Sequence, residues 1–64
     1  MSLSEAFHHF YHAAAEGDYG FQINQNGSFK VGVWPRGRME LAKTFRGGDN
    51  PVQALQEATE YMRQ

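Results

Sequence analysis

Residues 19–46 constrain the fold more than any other part of the chain, because they predict three short antiparallel strands joined by two turns. The turns fall at residues 26–27, where the sequence is Asn-Gly, and at 35–37, where it is Pro-Arg-Gly. Apolar and polar residues alternate on either side of both turns, which gives each strand one apolar face. The remaining segments of the chain must therefore cover that face.

The first turn is predicted to join a strand at residues 19–24 to a strand at residues 28–34. A two-residue loop would divide the apolar side chains between the two faces, because a one-residue change in register exchanges the faces. A three-residue loop over residues 25–27 keeps them together and sets Ile23 opposite Phe29. We therefore predict this loop, with its last residue, a glycine, in the left-handed conformation.

The second turn predicts a third strand at residues 38–45. A three-residue loop over residues 35–37 uses the fixed φ of its proline and the freedom of its glycine, and it sets Val33 opposite Met39. In this register Lys43 lies on the inner, apolar face. Two explanations stay open: its side chain extends past the end of the sheet to water, or a bulge shifts the strand there.

Amphipathic helices are predicted at both ends of the chain. The first covers residues 3–16; it begins at a Ser-x-x-Glu capping box and is ended by Gly17. The second covers residues 51–63, with Asn50 as its N-cap and proline in its first turn. The apolar half of the first helix comprises Leu3, Ala6, Phe7, Phe10, Tyr11, Ala13 and Ala14.

These elements predict a single α+β domain over residues 1–64 with the order α-β-β-β-α. The strands form a three-stranded antiparallel meander. Because the sheet and each helix have one apolar face, the simplest arrangement is two layers, with both helices on one face of the sheet. The other face of the sheet is then exposed to solvent.

The composition predicts a small protein of the cytoplasm. The chain has 64 residues and no cysteine, so no disulfide or thiolate metal site stabilises it, and a reducing compartment fits. No apolar run approaches the length of a membrane span, and no signal peptide opens the chain. We therefore expect no membrane partner.

The sequence predicts no cofactor and no catalytic group. His8 and His12 are four residues apart, which places two imidazoles on one helical face, but no third metal ligand accompanies them beyond Glu5 or Glu16. A convex helix surface also offers no pocket in which a side-chain pKa is shifted for catalysis. We therefore predict no bound metal, no cofactor and no enzymatic activity.

The solvent-exposed face of the sheet is the predicted binding surface. Five of the six basic residues lie between residues 19 and 48, whereas both ends of the chain are acidic. Trp34, with Arg38 opposite it, is a candidate anchor, since Trp and Arg are enriched among interface hot spots. A Trp folded over the sheet edge is the alternative interpretation. The predicted partner-binding residues are Gln22, Asn24, Lys30, Trp34, Arg36 and Arg38.

Several families share parts of this pattern. The order helix, three strands, helix resembles the double-stranded RNA-binding fold. The Lys-Thr-Phe sequence at 43–45, followed by a helix at 51–63, resembles plant AP2 domains and integrase arm-binding domains, which implies that the sheet reads DNA. The strand-then-helix ending resembles HicB-type antitoxins. In size and lack of cysteine the chain is similar to small phage and mobile-element inhibitors, including anti-CRISPR proteins, which implies occlusion of a partner without chemistry.

Two functional hypotheses follow. The first is a non-enzymatic binding protein that occludes a protein or ribonucleoprotein partner, as a phage inhibitor of the anti-CRISPR kind does. The second is a small DNA-binding module that uses nucleic-acid contacts on the basic face of its sheet. The oligomeric state stays open between a monomer and a homodimer. The acidic faces of the two helices are an alternative contact surface, suited to a basic partner.

Overall fold

The computed structural model describes residues 1–64 and confirms the predicted order of one helix, three strands and a second helix. The three strands form one antiparallel sheet in the order β1-β2-β3, so the protein has a small α+β fold. A short 3₁₀ helix, Met39–Leu41, lies between β2 and β3. The elements are α1 Leu3–Gly17, β1 Tyr19–Asn24, β2 Phe29–Pro35, β3 Lys43–Gly48 and α2 Pro51–Arg63.

The hydrophobic core lies between the two helices and one face of the sheet. Val31 and Val33 of β2 form one fully buried cluster with Phe10 of α1 and Leu55 of α2. The other buried helix positions are mostly alanines, whose small side chains allow α1 and α2 to pack closely together. Because alternate residues of β2 contribute to this cluster, both helices cover the same face of the sheet, which we call the inner face.

The buried stripe of α1 is narrower than the predicted apolar half of the helix. Ala6, Phe10, Ala13 and Ala14 are buried, whereas Leu3 and Tyr11 are 42% and 47% exposed and Phe7 is half-buried. The sheet has only three strands and α2 occupies much of its inner face, so α1 covers β1 at the margin of the sheet. One apolar side of α1 consequently faces solvent.

Both predicted helix starts are confirmed. The Ser2 hydroxyl accepts a hydrogen bond from the Glu5 amide, and the Ser2 amide donates to the Glu5 carboxylate, each at 3.1 Å. These bonds to Ser2 hold the pKa of Glu5 below its usual value. At α2 the side-chain oxygen of Asn50 accepts from the Gln53 amide at 3.1 Å.

The end of α1 differs from the prediction by one residue. Gly17 remains helical, and the left-handed residue is Asp18, with a φ of 57°. Asp is among the few non-glycine residues that enter this region readily. The Asp18 carboxylate also pairs with Arg36, which directly follows β2, so an ion pair connects the end of the helix to the end of the hairpin.

The first hairpin keeps the predicted faces but not the predicted register. Ile23 lies opposite Val31, so the predicted pairing with Phe29 is wrong by two residues and the three-residue loop is wrong with it. The Asn24 side-chain oxygen accepts a hydrogen bond from the Asn26 amide at 2.8 Å. This local turn begins directly after β1 and lengthens the connection to β2.

The third strand begins five residues later than predicted, at Lys43 rather than at residue 38, and runs to Gly48. Val33 consequently lies opposite Lys43 and not Met39. The residues before β3 bond locally instead: Leu41 N donates to Arg38 O at 2.9 Å, and two further bonds of this kind flank it. Met, Glu and Leu are good helix formers and lack the branched β-carbon that strands favour, so this segment forms a 3₁₀ helix.

The structure also resolves the position of Lys43. Its side chain is exposed, so it extends from the inner face to water at the free edge of β3. A bulge does exist in β3, but it lies at the opposite end of the strand. Phe29 pairs with Gly48 and Lys30 with Arg46, which leaves Gly47 as the extra residue.

We expect the glycines of the two hairpin connections to resist substitution. Gly27 and Gly37 have φ values of 86° and 82°, as predicted, and a β-carbon at either position meets no other atom. Gly27→Ala and Gly37→Ala should each lower the free energy of unfolding by about 1 kcal/mol through backbone strain alone. Urea denaturation measures this loss of stability.

Gly32→Ala is the matched control, because Gly32 lies in β2 without a positive φ and the change there should be neutral or slightly stabilising. Equal losses in all three variants would contradict the explanation.

Candidate functional site

The face of the sheet opposite the helices, which we call the outer face, is uncovered and has no acidic residue. Alternation along the paired strands assigns the even-numbered positions to it, since the odd-numbered positions of β2 are in the core. Amide, hydroxyl and cationic side chains and one indole make up this surface. The outer face comprises Gly20, Gln22, Asn24, Lys30, Gly32, Trp34, Thr44 and Arg46.

The indole of Trp34 lies across Gly20 of the neighbouring strand. The two residues are directly opposite each other in the ladder, and a β-carbon at residue 20 would come within 2.5 Å of the indole Nε1. The absence of a side chain at Gly20 therefore leaves the space that the indole occupies, and the indole covers the backbone of β1 at this position. Trp34 is half-buried by this arrangement but lies outside the hydrophobic core, so one side of the ring stays available to a partner.

A shallow hollow of about 160 Å³ lies beside Trp34 at the centre of the outer face. Gly32 leaves this space open because it has no side chain. The Asn24 oxygen is already occupied by the Asn26 amide, so the nitrogen of the Asn24 side chain is free to donate. The walls of the hollow are therefore rich in hydrogen-bond donors. They are formed by Gln22, Asn24, Lys30 and Thr44.

Two cations lie directly opposite each other at one side of this hollow. Lys30 of β2 pairs with Arg46 of β3 in the ladder, and neither side chain forms an ion pair. Like charges at opposed positions destabilise a sheet. An anionic group bound between them would remove this repulsion, so the arrangement favours an acidic ligand over a neutral one.

The other two predicted cationic residues are both paired with carboxylates. Arg36 Nε donates to Asp18 Oδ1 at 2.6 Å, and the Arg36 amide donates to the Asp18 carbonyl at 3.0 Å, which continues the β1–β2 ladder. Arg38 Nε donates to Glu40 Oε2 at 2.7 Å and holds the pKa of Glu40 below its usual value. The predicted position of Arg38 opposite Trp34 is wrong, because β3 begins only at Lys43.

The structure thus brings together four of the six predicted binding residues on the outer face, namely Gln22, Asn24, Lys30 and Trp34. It places Arg36 at the end of the hairpin and Arg38 in the connection to β3. Arg46 was absent from the predicted set. The alternation of Lys43, Thr44 and Phe45 could have found it, since an inward Phe45 requires the next residue to point outward.

A second concave surface lies between the outer sides of α1 and α2. Its volume is about 450 Å³, and it contains both signs of charge. Several of its polar groups already bond to one another or to their neighbours: Gln53 Nε2 donates to Glu57 at 3.2 Å, and Arg63 lies 3.5 Å from Glu16. This groove therefore has less unsatisfied charge than the outer face.

The two histidines singled out in the sequence are neighbours on the exposed side of α1. The ring centroids of His8 and His12 are 4.4 Å apart. No group of three or more His, Cys, Asp or Glu side chains is arranged to hold a metal ion. Neither helix is long and apolar enough to cross a membrane.

Comparisons with known protein families, with characterised proteins and with solved structures found no match.

Proposed function

We propose that this chain is a non-enzymatic binding protein that uses the outer face of its sheet to occlude an acidic surface of a protein or ribonucleoprotein partner. The observation that carries the proposal is the opposed, unpaired Lys30 and Arg46 beside a hollow lined by donors. Occlusion needs only a complementary surface. It is the mode of action of the phage inhibitors, including anti-CRISPR proteins, that the chain resembles in size.

Trp34 supports a macromolecular partner rather than a small anion. Its exposed ring side lies on the same face as Lys30 and Arg46, so an apolar anchor accompanies the charges. Buried Trp and Arg side chains supply much of the binding energy in protein interfaces, while surrounding polar contacts provide complementarity. Acidic side chains on the partner would bind the cations, and an apolar group would cover the indole.

A DNA-binding module is the second candidate, and the absence of carboxylates on the outer face favours it. Only two unpaired cations, Lys30 and Arg46, are available there, because Arg36 and Arg38 are engaged with Asp18 and Glu40. Two phosphate contacts imply a log–log salt slope of about −1.8 and a loss of roughly one decade in affinity between about 50 and 200 mM salt. Electrostatics of this size supports only weak binding to DNA, so we rank this candidate second.

A gel shift with random duplex DNA separates the two candidates. At about 150 mM salt we expect no shift with micromolar protein, because two cations supply too little counterion release. Lys30→Glu should likewise produce no shift. A micromolar shift of the wild-type protein that disappears in Lys30→Glu would instead establish the DNA-binding module.

Capture of a partner by the immobilised protein tests the proposal itself. Lys30→Glu and Arg46→Glu should each abolish capture, because they place a carboxylate against an acidic partner. Lys43→Glu is the matched control: it makes the same charge change at an exposed Lys on the other face of the sheet and should leave capture intact. Equal loss in all three variants would mean that net charge alone governs binding, and it would overturn the assignment to the outer face.

A further inference from the structure

An apolar ridge remains exposed on α1 after the core is complete. Leu3, Phe7 and Tyr11 recur every four residues, which places them in one row along the helix. The Phe7 and Tyr11 rings stack at 5.7 Å, and Tyr11 lies 5.4 Å from Phe21 of β1, itself 39% exposed. We call these four residues the aromatic ridge. It extends from the helix onto the inner face of the adjacent edge strand.

The strand beneath the ridge is an unprotected sheet edge. β1 pairs only with β2, so its other edge is free. Its sequence, YGFQIN, contains no charged residue and no proline, and its pairing with β2 contains no bulge. Exposed edges are normally blocked by such features, since an open edge pairs readily with another strand. The opposite edge has two of these features, charge and a bulge: β3 contains Lys43, Arg46 and the bulge at Gly47. The two edges of this sheet therefore differ in their fitness for pairing.

The hydrogen bonding at the end of the hairpin shows which backbone groups of β1 are free. The Arg36 amide donates to the Asp18 carbonyl, so this pair is hydrogen-bonded. Bonded and non-bonded pairs alternate in an antiparallel ladder, so the even-numbered residues of β1 bond to β2. The N–H and C=O groups of Tyr19, Phe21 and Ile23 consequently point away from the sheet.

We propose that the protein forms a homodimer in which β1 pairs antiparallel with β1 of a second copy. A twofold axis through Phe21 sets Tyr19 opposite Ile23 of the second copy and forms about six backbone hydrogen bonds from the three outward-pointing residues. The axis is perpendicular to the joined sheet, so both pairs of helices lie on the same side. The two aromatic ridges then meet across the axis, and the two outer faces form one continuous surface.

A second copy fits this edge for reasons of charge and symmetry. An uncharged strand pairs with itself without repulsion, whereas pairing of β3 with itself would bring together the two cations of each copy, Lys43 and Arg46. A twofold interface also requires a self-complementary patch, which a row of apolar side chains next to free backbone groups provides. A strand of six residues is only about 20 Å long. The interface is therefore small, and we expect the dimer to dissociate at micromolar concentrations.

Sedimentation or light scattering across a concentration series tests the proposal. We expect the mass to rise from 7.3 kDa at low micromolar concentration to twice that value at several hundred micromolar. Phe21→Lys should keep the protein monomeric throughout, because it sets two like charges against each other on the axis. Leu3→Glu should weaken dimerisation at least tenfold, and it changes a helix residue that is exposed in the monomer. A wild-type protein that stays monomeric throughout would overturn the proposal.

Leu41→Glu is the matched control for Leu3→Glu. Leu41 is 50% exposed but lies in the 3₁₀ helix near the other sheet edge, so the same substitution there should leave the dimer intact. If Phe21→Lys unfolds the protein, the comparison of Leu3→Glu with Leu41→Glu still tests the β1 interface. A dimer that both leucine variants retain, or that both lose, would exclude the β1 interface.

Amide hydrogen exchange gives a second readout. Raising the protein concentration should slow exchange at Tyr19, Phe21 and Ile23 by at least tenfold, because their N–H groups become bonded only in the dimer. The amides of Gly20 and Gln22 already bond to β2 and should change much less. Equal protection of both sets would indicate general stabilisation and would contradict pairing at this edge.

Discussion

Replacing Phe10 by alanine should unfold the protein at 25 °C. Phe10 is fully buried at the centre of the core, and its ring packs edge-to-face against Phe21 at 5.0 Å. Phe→Ala substitutions in cores cost about 3–5 kcal/mol, because the lost burial is accompanied by a cavity. A domain of this length has a total stability of roughly 3–5 kcal/mol. Circular dichroism and the dispersion of amide proton resonances measure the result.

Met39→Ala is the control for Phe10→Ala. Met39 is 65% exposed in the 3₁₀ helix, so its truncation should change the free energy of unfolding by less than about 0.5 kcal/mol. A folded Phe10→Ala protein with a melting temperature close to that of the wild type would show that the core assigned here does not hold the domain together.

The second large effect concerns binding rather than folding. Trp34→Ala should weaken binding to the captured partner by about 2 kcal/mol or more, roughly thirtyfold, because the indole is the one large apolar group on the outer face. Its effect on stability should be about 1 kcal/mol, since the ring lies over Gly20 and outside the core. Titration of the partner and urea denaturation of the same variant measure the two quantities.

Two further variants make the Trp34 result specific. Trp34→Phe keeps an aromatic ring over Gly20 and should retain most of the affinity. Gly20→Ala keeps the indole but displaces it, because the added methyl group would overlap the indole nitrogen, and it should weaken binding without removing any side chain from the outer face. A stability loss of about 3 kcal/mol or more in Trp34→Ala, with unchanged affinity, would assign Trp34 to folding alone.

The order of elements and the faces of the strands could be predicted from the sequence because both depend on local periodicity. Alternation over two residues assigns Phe29, Val31 and Val33 to one face whatever lies opposite them. Capping at Ser2 and Asn50 is equally local, since each bond spans three residues. These features need no knowledge of distant contacts.

The strand registers could not be predicted because alternation repeats every two residues. The first pairing is wrong by two positions and the second by four, and both errors leave the residues that are paired in the sheet on their predicted faces. The registers depend on two local structures, the Asn24 turn and the 3₁₀ helix at Met39–Leu41. In each of them, local hydrogen bonds replace bonds that strand pairing would otherwise form.

The same limitation explains the errors in the predicted binding surface. Its location on the outer face follows from alternation, and so does the presence there of Lys30 and Trp34. The residues that lie opposite Lys30 and Trp34 depend on the register of β3. Because that register differs from the prediction, the arginine on the outer face is Arg46 and not Arg38. The ion pairs that engage Arg36 and Arg38 depend on connections whose conformation the sequence pattern does not specify.

The position of Trp34 provides the protein with an intrinsic optical reporter. It is the only tryptophan in the chain, and its half-buried indole lies on the outer face, the surface that we propose contacts the partner. Its fluorescence can be excited selectively over that of the three tyrosines. Contact with a partner would exclude water from the ring's free side and move its emission to shorter wavelengths, so occupancy of the outer face can be followed in unlabelled protein.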